Sequence, residues 1–311
     1  MNVFGPVPSR RLGQSLGINN IPPKYCSYAC LYCQLGKTKK MQITRQDFYS
    51  PESLFLEAKG KIADVNKQQK VIDFLTFVAD GEPTLDKNLG KTIELLKAFQ
   101  IKIAVITNGS LIARDDVQDD LMLADWVSLK VDTADENTWR RMDRPFPRLN
   151  LKNMQRSMLD FAKRFQGCLV TETMLVKGMN DNRDSVGGVA DFLAELRPAK
   201  AYILVPTRPP AENNVQKPDK EKLQDTYQIM TVRGKTSVEC IVGDEGEDFY
   251  FSENLVNDLL SITAVHPVQE DMLDKLLTER NCGWDVVNNL VREGKMARYT
   301  YNNKNFFVRK N

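Results

Sequence analysis

Three of the six cysteines, Cys26, Cys30 and Cys33, lie in one short segment with the spacing C-x3-C-x2-C. Clustered thiolates of this kind bind either zinc or an iron–sulfur cluster. A structural zinc site needs a fourth protein ligand, whereas a four-iron cluster held by three thiolates keeps one iron open to a non-protein ligand. Candidates for a fourth zinc ligand are the only histidine, His266, and the scattered cysteines Cys168, Cys240 and Cys282.

Other polar segments follow predicted strands. In parallel α/β folds, ligands bind at the carboxyl ends of the strands, so these segments are expected to face one site together with the cysteine loop. They are "DGEPTL" at Asp80–Leu85, "NGSL" at Asn108–Leu111, "KGMND" at Lys177–Asp181 and "PTRPP" at Pro206–Pro210.

Short β-rich runs alternate with helical patterns from about residue 14 to residue 242, which predicts parallel strands joined by right-handed crossovers. The strands are predicted at Ser15–Asn19, Val71–Ala79, Lys102–Thr107, Trp126–Asp132, Cys168–Leu175, Ala201–Val205 and, more weakly, Ser237–Val242. The helices are predicted at Pro51–Val65, Asn88–Phe99, Arg114–Met122, Ala134–Met142, Leu151–Phe165, Asp181–Leu196 and Asp219–Thr231. This α/β pattern fits either a partial (β/α)6 barrel or a doubly wound open sheet.

The segment Trp126–Asp132 favours the barrel. Its residues alternate between apolar and polar, and alternate residues of a strand point to opposite faces. A sheet covered by helices on both faces is apolar on both. A polar inner face instead suits a barrel lumen that holds a ligand. The apolar set is Val127, Leu129 and Val131, and the polar set is Ser128, Lys130 and Asp132.

The pattern changes after about residue 250. We predict a barrel over residues 1–245, a linking helix over 246–263 and a small winged-helix-like module over 264–311, because two helices precede a hairpin that turns at Asn302–Lys304. From Val291 onward, six basic residues stand against one acidic residue, Glu293, and aromatic residues are interleaved with them. Phosphate pairing and base stacking use this composition, but such a hairpin also packs on its own helices or docks a protein or peptide.

Composition narrows the class of protein further. The 311 residues carry a formal net charge of only +2, which excludes a strongly polyanion-seeking surface and leaves room for a local basic patch. No run approaches the roughly 18 apolar residues of a membrane span, and the N-terminal segment has no signal-peptide pattern. The cysteines do not form a secreted disulfide pattern, so we expect a cytoplasmic location and inert buried thiols at Cys168, Cys240 and Cys282.

The cysteine spacing, with Tyr32 just before the last cysteine, resembles the radical S-adenosylmethionine (radical SAM) superfamily. The segment Gly81–Pro83 resembles the superfamily's second-strand motif that contacts the SAM amino group, with Asp80 where the first glycine usually stands. The stretches "GPVPSRRLGQSLGI", "DGEPTL", "ITNGSL", "KGMND" and "PTRPP" resemble the iron–sulfur oxidoreductase branch related to the tRNA wyosine-base synthases, in order over about residues 4–215. The resemblance implies a partial (β/α)6 barrel, one [4Fe-4S] cluster, SAM, and a reductant such as flavodoxin or ferredoxin.

The resemblance also implies roles for individual residues. The metal ligands would be Cys26, Cys30 and Cys33. The SAM-binding residues would be Tyr32, Asp80, Gly81, Glu82, Pro83, Thr107, Asn108, Ser128 and Asp132, although ordinary turn chemistry or structural hydrogen bonding also accounts for the glycine, proline, asparagine and aspartate positions. The catalytic candidates are Lys130, Glu172 and Arg208.

The last three candidates are charged side chains that suit binding of a charged ligand. Lys130 would hold the SAM carboxylate or a substrate anion, or only neutralise Asp132. Glu172 is a carboxylate on a buried strand, which is costly without a partner. Arg208, like Arg10 and Arg11, suits bidentate binding of a carboxylate or phosphate, and a surface salt bridge is the alternative.

The expected function is reductive cleavage of SAM at a [4Fe-4S] cluster to a 5′-deoxyadenosyl radical, which abstracts a hydrogen atom from a substrate. An RNA or tRNA nucleoside is one substrate class that suits the C-terminal module, and a peptide or small molecule is the alternative. A nucleic-acid-binding regulator with a metal-cluster switch is a second hypothesis. It accounts for the cysteines and the C-terminal module but gives no role to Gly81–Pro83 or to the polar strand.

Overall fold

The computed structural model describes residues 2–78, 80–242, 255–265 and 267–310. The described strands are β1 (Val3–Ser9), β2 (Gly13–Ile18), β3 (Tyr25–Cys26), β4 (Lys40–Met41), β5 (Phe74–Phe77), β6 (Lys102–Thr107), β7 (Trp126–Lys130), β8 (Cys168–Met174), β9 (Lys200–Leu204), β10 (Val238–Ile241), β11 (Val268–Gln269), β12 (Met296–Tyr301) and β13 (Lys304–Arg309). The helices are α1 (Pro51–Lys67), α2 (Leu89–Leu96), α3 (Asp115–Met122), α4 (Glu136–Met142), α5 (Leu151–Arg164), α6 (Arg183–Leu196), α7 (Lys220–Gly234), α8 (Leu255–Val265), α9 (Glu270–Glu279) and α10 (Asp285–Arg292).

The central sheet has eight strands in the order β1-β2-β5-β6-β7-β8-β9-β10. Strands β2 and β5 to β10 are parallel, and β1 pairs antiparallel with β2. The sheet is curled into a half-barrel, which confirms the predicted partial barrel and excludes the doubly wound sheet. The strands predicted from the sequence are all present, with ends shifted by a few residues; the predicted end of the second, Ala79, lies outside the described residues.

The two faces of β7 differ as its alternation predicts. Val127 and Leu129 belong to the large core between the sheet and the helices. Trp126 points into the lumen, where it packs with Val170 and Tyr202 from neighbouring strands. Leu12, from the turn between β1 and β2, is buried in the same cluster. This apolar layer closes the N-terminal end of the barrel, so the lumen opens toward the carboxyl ends of the strands.

Strand β1 is absent from the prediction. It contains Pro6 and Pro8, and its pairing with β2 shifts register between Phe4 and Val7. Proline cannot donate to a ladder and is confined to edge strands or bulges, and both conditions hold here. The prolines therefore obscure this strand in the sequence, because a strand that contains them pairs only at the edge of a sheet.

Local signals set the starts of several helices. Helix α1 begins at Pro51, and the Ser50 side chain accepts a hydrogen bond from the backbone N–H of Ser53. The helix predicted over Asn88–Phe99 is shorter: α2 ends at Leu96 and a 3₁₀ turn over Lys97–Phe99 follows.

The C-terminal part consists of α8, β11, α9, α10 and the hairpin β12–β13, with the sheet order β11-β13-β12. It packs against the barrel through Val7, and Lys61 of α1 forms a buried 2.8 Å ion pair with Asp258 of α8. The predicted linking helix corresponds to α8, and its residues 246–254 lie outside the described part of the chain. The winged-helix-like assignment remains a prediction. Within the described ranges, no helix is both long and apolar enough to cross a membrane.

Candidate functional site

The cysteine loop lies over the open end of the barrel, where Cys26, Cys30 and Cys33 line one cavity of about 290 Å³. The loop is docked on the C-terminal end of α4. The backbone N–H of Leu31 donates to the carbonyl oxygen of Met142 at 3.0 Å, and that of Ala29 donates to Asp143 at 3.1 Å. These carbonyls have no partner within their helix, so the loop supplies the donors that the helix end needs.

The three cysteines are partly buried where they line the cavity. Burial raises the pKa of Cys26 to about 12, and the carboxylate of Glu82 adds to the effect. Burial likewise raises the pKa of Cys30 and of Cys33. Because only thiolates ligate iron, the positive charge of a bound metal is needed to deprotonate these groups, and binding releases protons. The Cys26 sulfur also faces two N–H donors, the backbone of Tyr28 at 3.4 Å and the Asn108 side chain at 3.6 Å.

The loop after β5 is clamped to the cysteine loop. The backbone N–H of Glu82 donates to the carbonyl oxygen of Tyr25 at 3.0 Å, and that of Lys24 donates to Asp80 at 2.6 Å. A Cβ atom at Gly81 would lie 1.8 Å from the same Tyr25 carbonyl oxygen. Glycine is therefore required here by close approach of two backbones rather than by an unusual turn.

The carboxylate of Glu82 joins two neighbouring strand ends. Its Oε1 accepts from the hydroxyls of Thr84 and Thr107, both at 2.6 Å, and its Oε2 accepts from the backbone N–H of Asn108 at 2.8 Å. Burial raises its pKa even though these hydrogen bonds favour the carboxylate. Glu82 lines the cavity, but its oxygens already hold the wall together.

Asp80 and Pro83 are not part of the cavity wall formed by the described residues. Asp80 is buried, and its backbone N–H donates to Asn19. Burial raises its pKa to about 7, against the opposing charges of Arg309 and Lys24. Pro83 begins a 3₁₀ turn, and its carbonyl oxygen accepts from the Asn20 side chain at 3.0 Å. Both residues therefore support the wall from behind, and their contact with SAM stays a prediction.

Tyr32 is held by two buried carboxyl groups. Its hydroxyl contacts Asp132 in a very short hydrogen bond and lies 2.9 Å from Oδ1 of Asp143. Burial, with the neighbouring charge of Asp132, raises the pKa of Asp143 well above its usual range. Asp132 also accepts the backbone N–H of Met174 at 2.6 Å. Asp132 is thus engaged behind Tyr32 and is not in the cavity wall formed by the described residues; its role as a ribose contact stays a prediction.

Lys130 does line the cavity, next to the cysteine loop. Its Nζ lies 5.1 Å from the centre of the Tyr32 ring and 3.8 Å from Oδ1 of Asp132. Burial lowers the pKa of Lys130, but the carboxylates of Asp132 and Glu172 outweigh burial and raise it overall. Lys130 is therefore a cation at the cavity wall at neutral pH.

Deeper in the lumen, Glu172 accepts hydrogen bonds from two residues. Ser128 donates its hydroxyl to Oε1 at 2.9 Å, and the Arg11 guanidinium donates to the same oxygen at 2.5 Å. Ser128 is buried under this contact and does not line the cavity of the described residues, and its SAM contact stays a prediction. Arg11 and Glu172 are 161 residues apart in the chain, so no local pattern pairs them, and the fold brings them together.

Arg208 lies at the rim of the cavity and donates to the Gln34 side chain at 2.8 Å. Of the predicted site residues, the structure brings eleven to the cavity wall: Cys26, Cys30, Tyr32, Cys33, Gly81, Glu82, Thr107, Asn108, Lys130, Glu172 and Arg208.

The donor set fits an iron–sulfur cluster better than zinc. Across the described ranges, no three His, Cys, Asp or Glu side chains are arranged as ligands of a single metal ion. His266 lies outside those ranges. The other cysteines are scattered, and Cys168 is exposed while Cys240 and Cys282 are partly buried, so the prediction of buried thiols was wrong for Cys168. Cys168 is the first residue of β8, at the N-terminal end of the barrel, where its side chain is exposed.

A half-barrel with three thiols at its open end and a glycine–carboxylate loop beside them defines a class of cluster-binding barrels. The family model described as the radical SAM superfamily matches residues 20–187, which include the cysteine loop and Gly81. This chain belongs to the radical SAM superfamily. It is an enzyme that uses a [4Fe-4S] cluster and S-adenosylmethionine, and enzymes of this family need a reductant.

Similarity to individual proteins extends over most of the chain. It is 45% identical over 98% of its length, and 95% of the other chain, to the UPF0026 protein MJ1312 of Methanocaldococcus jannaschii. It is 24% identical over 75% of its length, and 47% of the other chain, to an S-adenosylmethionine-dependent nucleotide dehydratase of Lacinutrix mariniflava. A structure of TYW1 with a lysine–pyruvate adduct shares the fold at a TM-score of 0.52 and 14% identity, covering 72% of this chain and 74% of that one.

Proposed function

We propose that this radical SAM enzyme abstracts hydrogen from a nucleoside, which it meets within an RNA such as tRNA. The observation that carries the proposal is the position of the hairpin β12–β13. The Tyr301 hydroxyl donates toward the carbonyl oxygens of Val215 at 3.3 Å and Pro206 at 3.5 Å, and Pro206 lines the cavity. The basic C-terminal hairpin therefore borders the cavity mouth.

The side chains of the hairpin divide into two groups. Phe306 and Phe307 are buried and account for its packing. Tyr299 is 50% exposed, and Lys304 and Lys310 lie on the outer surface. Packing alone thus explains only some of the aromatic and basic residues. The rest offer a stacking surface and phosphate partners beside the cavity, as RNA recognition requires.

A relative supports the same substrate class. The similar chain from Lacinutrix mariniflava is named for action on a nucleotide. We carry over only the general chemistry of a base and ribose, because the identity is 24% and less than half of that chain is covered.

The residues of the chain have separable tasks in this proposal. The cluster and SAM, when bound, supply the radical chemistry that removes a hydrogen atom from the substrate. Cys26, Cys30 and Cys33 hold the cluster as thiolates, and the backbone around Gly81 receives the SAM ammonium group. Lys130 is positioned as a cation for the SAM carboxylate, with Asp132 fixing its position.

Other side chains support these tasks. Tyr32, Thr107 and Asn108 shape the wall near the cysteine loop, and Arg208 closes the rim with Gln34. The apolar layer of Leu12 and Trp126 excludes water from below. We further propose a flavodoxin or ferredoxin as the reductant. A cytoplasmic location is also part of the proposal, since all six cysteines are free thiols.

The test is RNA binding by the anaerobically purified, cluster-loaded enzyme. We expect bulk tRNA to bind with an affinity that falls as salt rises, because phosphate contacts release counterions. Lys304→Glu combined with Lys310→Glu should weaken binding and lower the salt slope by about one for each phosphate that the hairpin no longer neutralises. Each hairpin substitution is also made alone, and Lys59→Glu, on the exposed face of α1, is the charge control for these single variants.

Two results would overturn the proposal. One is RNA binding that the hairpin variants and the Lys59 variant change equally. The other is RNA binding that does not change with salt, together with 5′-deoxyadenosine formation that a peptide stimulates and RNA does not. This result would make a peptide the substrate.

A further inference from the structure

The lumen contains an ion pair whose polar atoms are only partly used. Arg11 donates through Nη1 to Oε1 of Glu172, and Ser128 donates to the same oxygen. Within the described part of the chain, Oε2 of Glu172 accepts no hydrogen bond, and neither Nη2 nor Nε of Arg11 donates one. Both residues line the cavity, with exposed side-chain fractions of 6% for Glu172 and 16% for Arg11.

Packing does not require this pair. The lumen is already closed below it by the apolar layer of Leu12, Trp126 and Tyr202. A buried ion pair costs desolvation energy that its attraction often fails to recover, and an apolar pair would fill the same space at least as well. The unused donors and acceptor point to recognition of a ligand.

Ser128 helps to determine which carboxylate oxygen of Glu172 is available to a ligand. Since Ser128 and Arg11 both hold Oε1, the carboxylate is fixed and Oε2 is the oxygen that remains available. The guanidinium that contacts the same carboxylate through Nη1 keeps its remaining donors. The pair therefore offers an acceptor and a donor within one ion pair, with no net charge of its own. Its complement is a neutral group that carries an acceptor and a donor at neighbouring positions.

We propose that Arg11 and Glu172 bind the Watson–Crick edge of a nucleobase, with the guanidinium donating to the base and Oε2 accepting from it. Every base carries a donor and an acceptor at neighbouring positions of that edge, and arginine and carboxylate side chains pair with such groups. The order of donor and acceptor in adenine and cytosine is the reverse of that in guanine and uracil, so a fixed pair distinguishes them. This inference rests on the proposed nucleoside substrate and gives the lumen a base-selecting role distinct from the cluster and from the hairpin.

The decisive variant is Glu172→Gln. Because Arg11 and Ser128 are both donors to Oε1, the amide oxygen takes that place and the amide nitrogen replaces Oε2. An acceptor becomes a donor with no change in shape. Arg11→Lys is the second variant, because it keeps the charge and the ion pair but removes the planar second donor. The control is Asp258→Asn, which disturbs a buried ion pair with Lys61 far from the cavity.

Binding of cytidine, uridine, adenosine and guanosine is measured by calorimetry on cluster-loaded enzyme saturated with SAM, and unfolding temperatures are recorded for each variant. We expect the nucleoside that the wild type prefers to lose about tenfold or more in affinity in Glu172→Gln, and its rank among the four to change. Arg11→Lys should show a similar loss. Asp258→Asn should stay within about twofold of the wild type, whatever its unfolding temperature.

The outcomes separate the two proposals. Nucleoside affinities and rank order that are unchanged in both lumen variants overturn base recognition while RNA binding through the hairpin stands. Absence of nucleoside binding by the wild type, with hairpin-dependent RNA binding intact, overturns it as well. If the wild type binds neither RNA nor any of the four nucleosides, the proposed nucleoside function itself is overturned.

Discussion

The hydroxyl of Tyr32 is hydrogen-bonded to the carboxylate of Asp132, one hundred residues later in the chain. The bond ties the cysteine loop to the end of the fourth parallel strand, β7. Asp143 contacts the same hydroxyl. A tyrosine hydroxyl has a single proton to donate, so it cannot satisfy two ionised carboxylates. Asp143 must then be the protonated member, as its raised pKa also indicates.

This arrangement predicts unequal effects of two similar substitutions. Asp143→Asn replaces a neutral acid by a neutral amide and should change the free energy of unfolding by less than about 1 kcal/mol. The carboxylate of Asp132 faces Lys130 and accepts the N–H of Met174. Asp132→Asn removes its charge and should lower the free energy of unfolding by about 2 to 3 kcal/mol. Anaerobic urea titrations of both variants measure the difference. Equal destabilisation would contradict the assignment of the proton to Asp143.

Gly81→Ala should disturb the cysteine loop. The added methyl group would overlap the Tyr25 carbonyl oxygen, so the two loops must separate. We expect a lower iron content after reconstitution and a weaker cluster absorption band. Gly60→Ala is the matched control, because nothing lies within 4 Å of its Cβ position and alanine favours a helix interior. An iron content in the Gly81 variant equal to that of the Gly60 variant would show that the clamp is not needed.

Asp80 should make stability depend on pH. Its pKa is about 7 in the folded protein against an ordinary value of 3.8, so between about pH 4 and pH 7 the folded state binds the extra proton. The free energy of unfolding therefore falls as pH rises through that range, by at most about 1.4 kcal/mol per pH unit. Asp80→Asn removes this contribution. Denaturant titrations of both proteins from pH 4 to pH 8 should show a stability difference that shifts in favour of the variant, and a constant difference would contradict the prediction.

Several features of the fold were predictable because they depend on local pattern. The alternation of Trp126–Asp132 predicted a polar lumen, and Ser128 does face it. Ser50 and Pro51 fixed the start of α1. Strand β1 was missed because Pro6 and Pro8 contradict a strand unless its edge position and bulge are known. Edge position is a property of the assembled sheet.

In the candidate site, too, local features were predictable and contacts between distant residues were not. The spacing of three cysteines in one loop predicted a shared site without tertiary information, and all three do line one cavity. Asp143 carries no sequence signal, since it is an ordinary residue at the end of α4 that becomes special only where the cysteine loop lies on it. Asp132 was predicted as the last residue of a strand and follows the end of β7 by two residues, and its carboxylate contacts Tyr32, 100 residues away in the chain. Side chains distant in the chain set these outcomes.

The most direct test of the account is formation of 5′-deoxyadenosine from SAM by the anaerobically reconstituted, dithionite-reduced protein. We expect the wild type and Cys168→Ala to form it, since Cys168 is exposed and lies outside the cavity wall of the described residues. Cys33→Ala should form none above background. A cluster-loaded wild type that neither binds SAM nor forms 5′-deoxyadenosine, or a Cys33 variant as active as the Cys168 variant, would contradict the account.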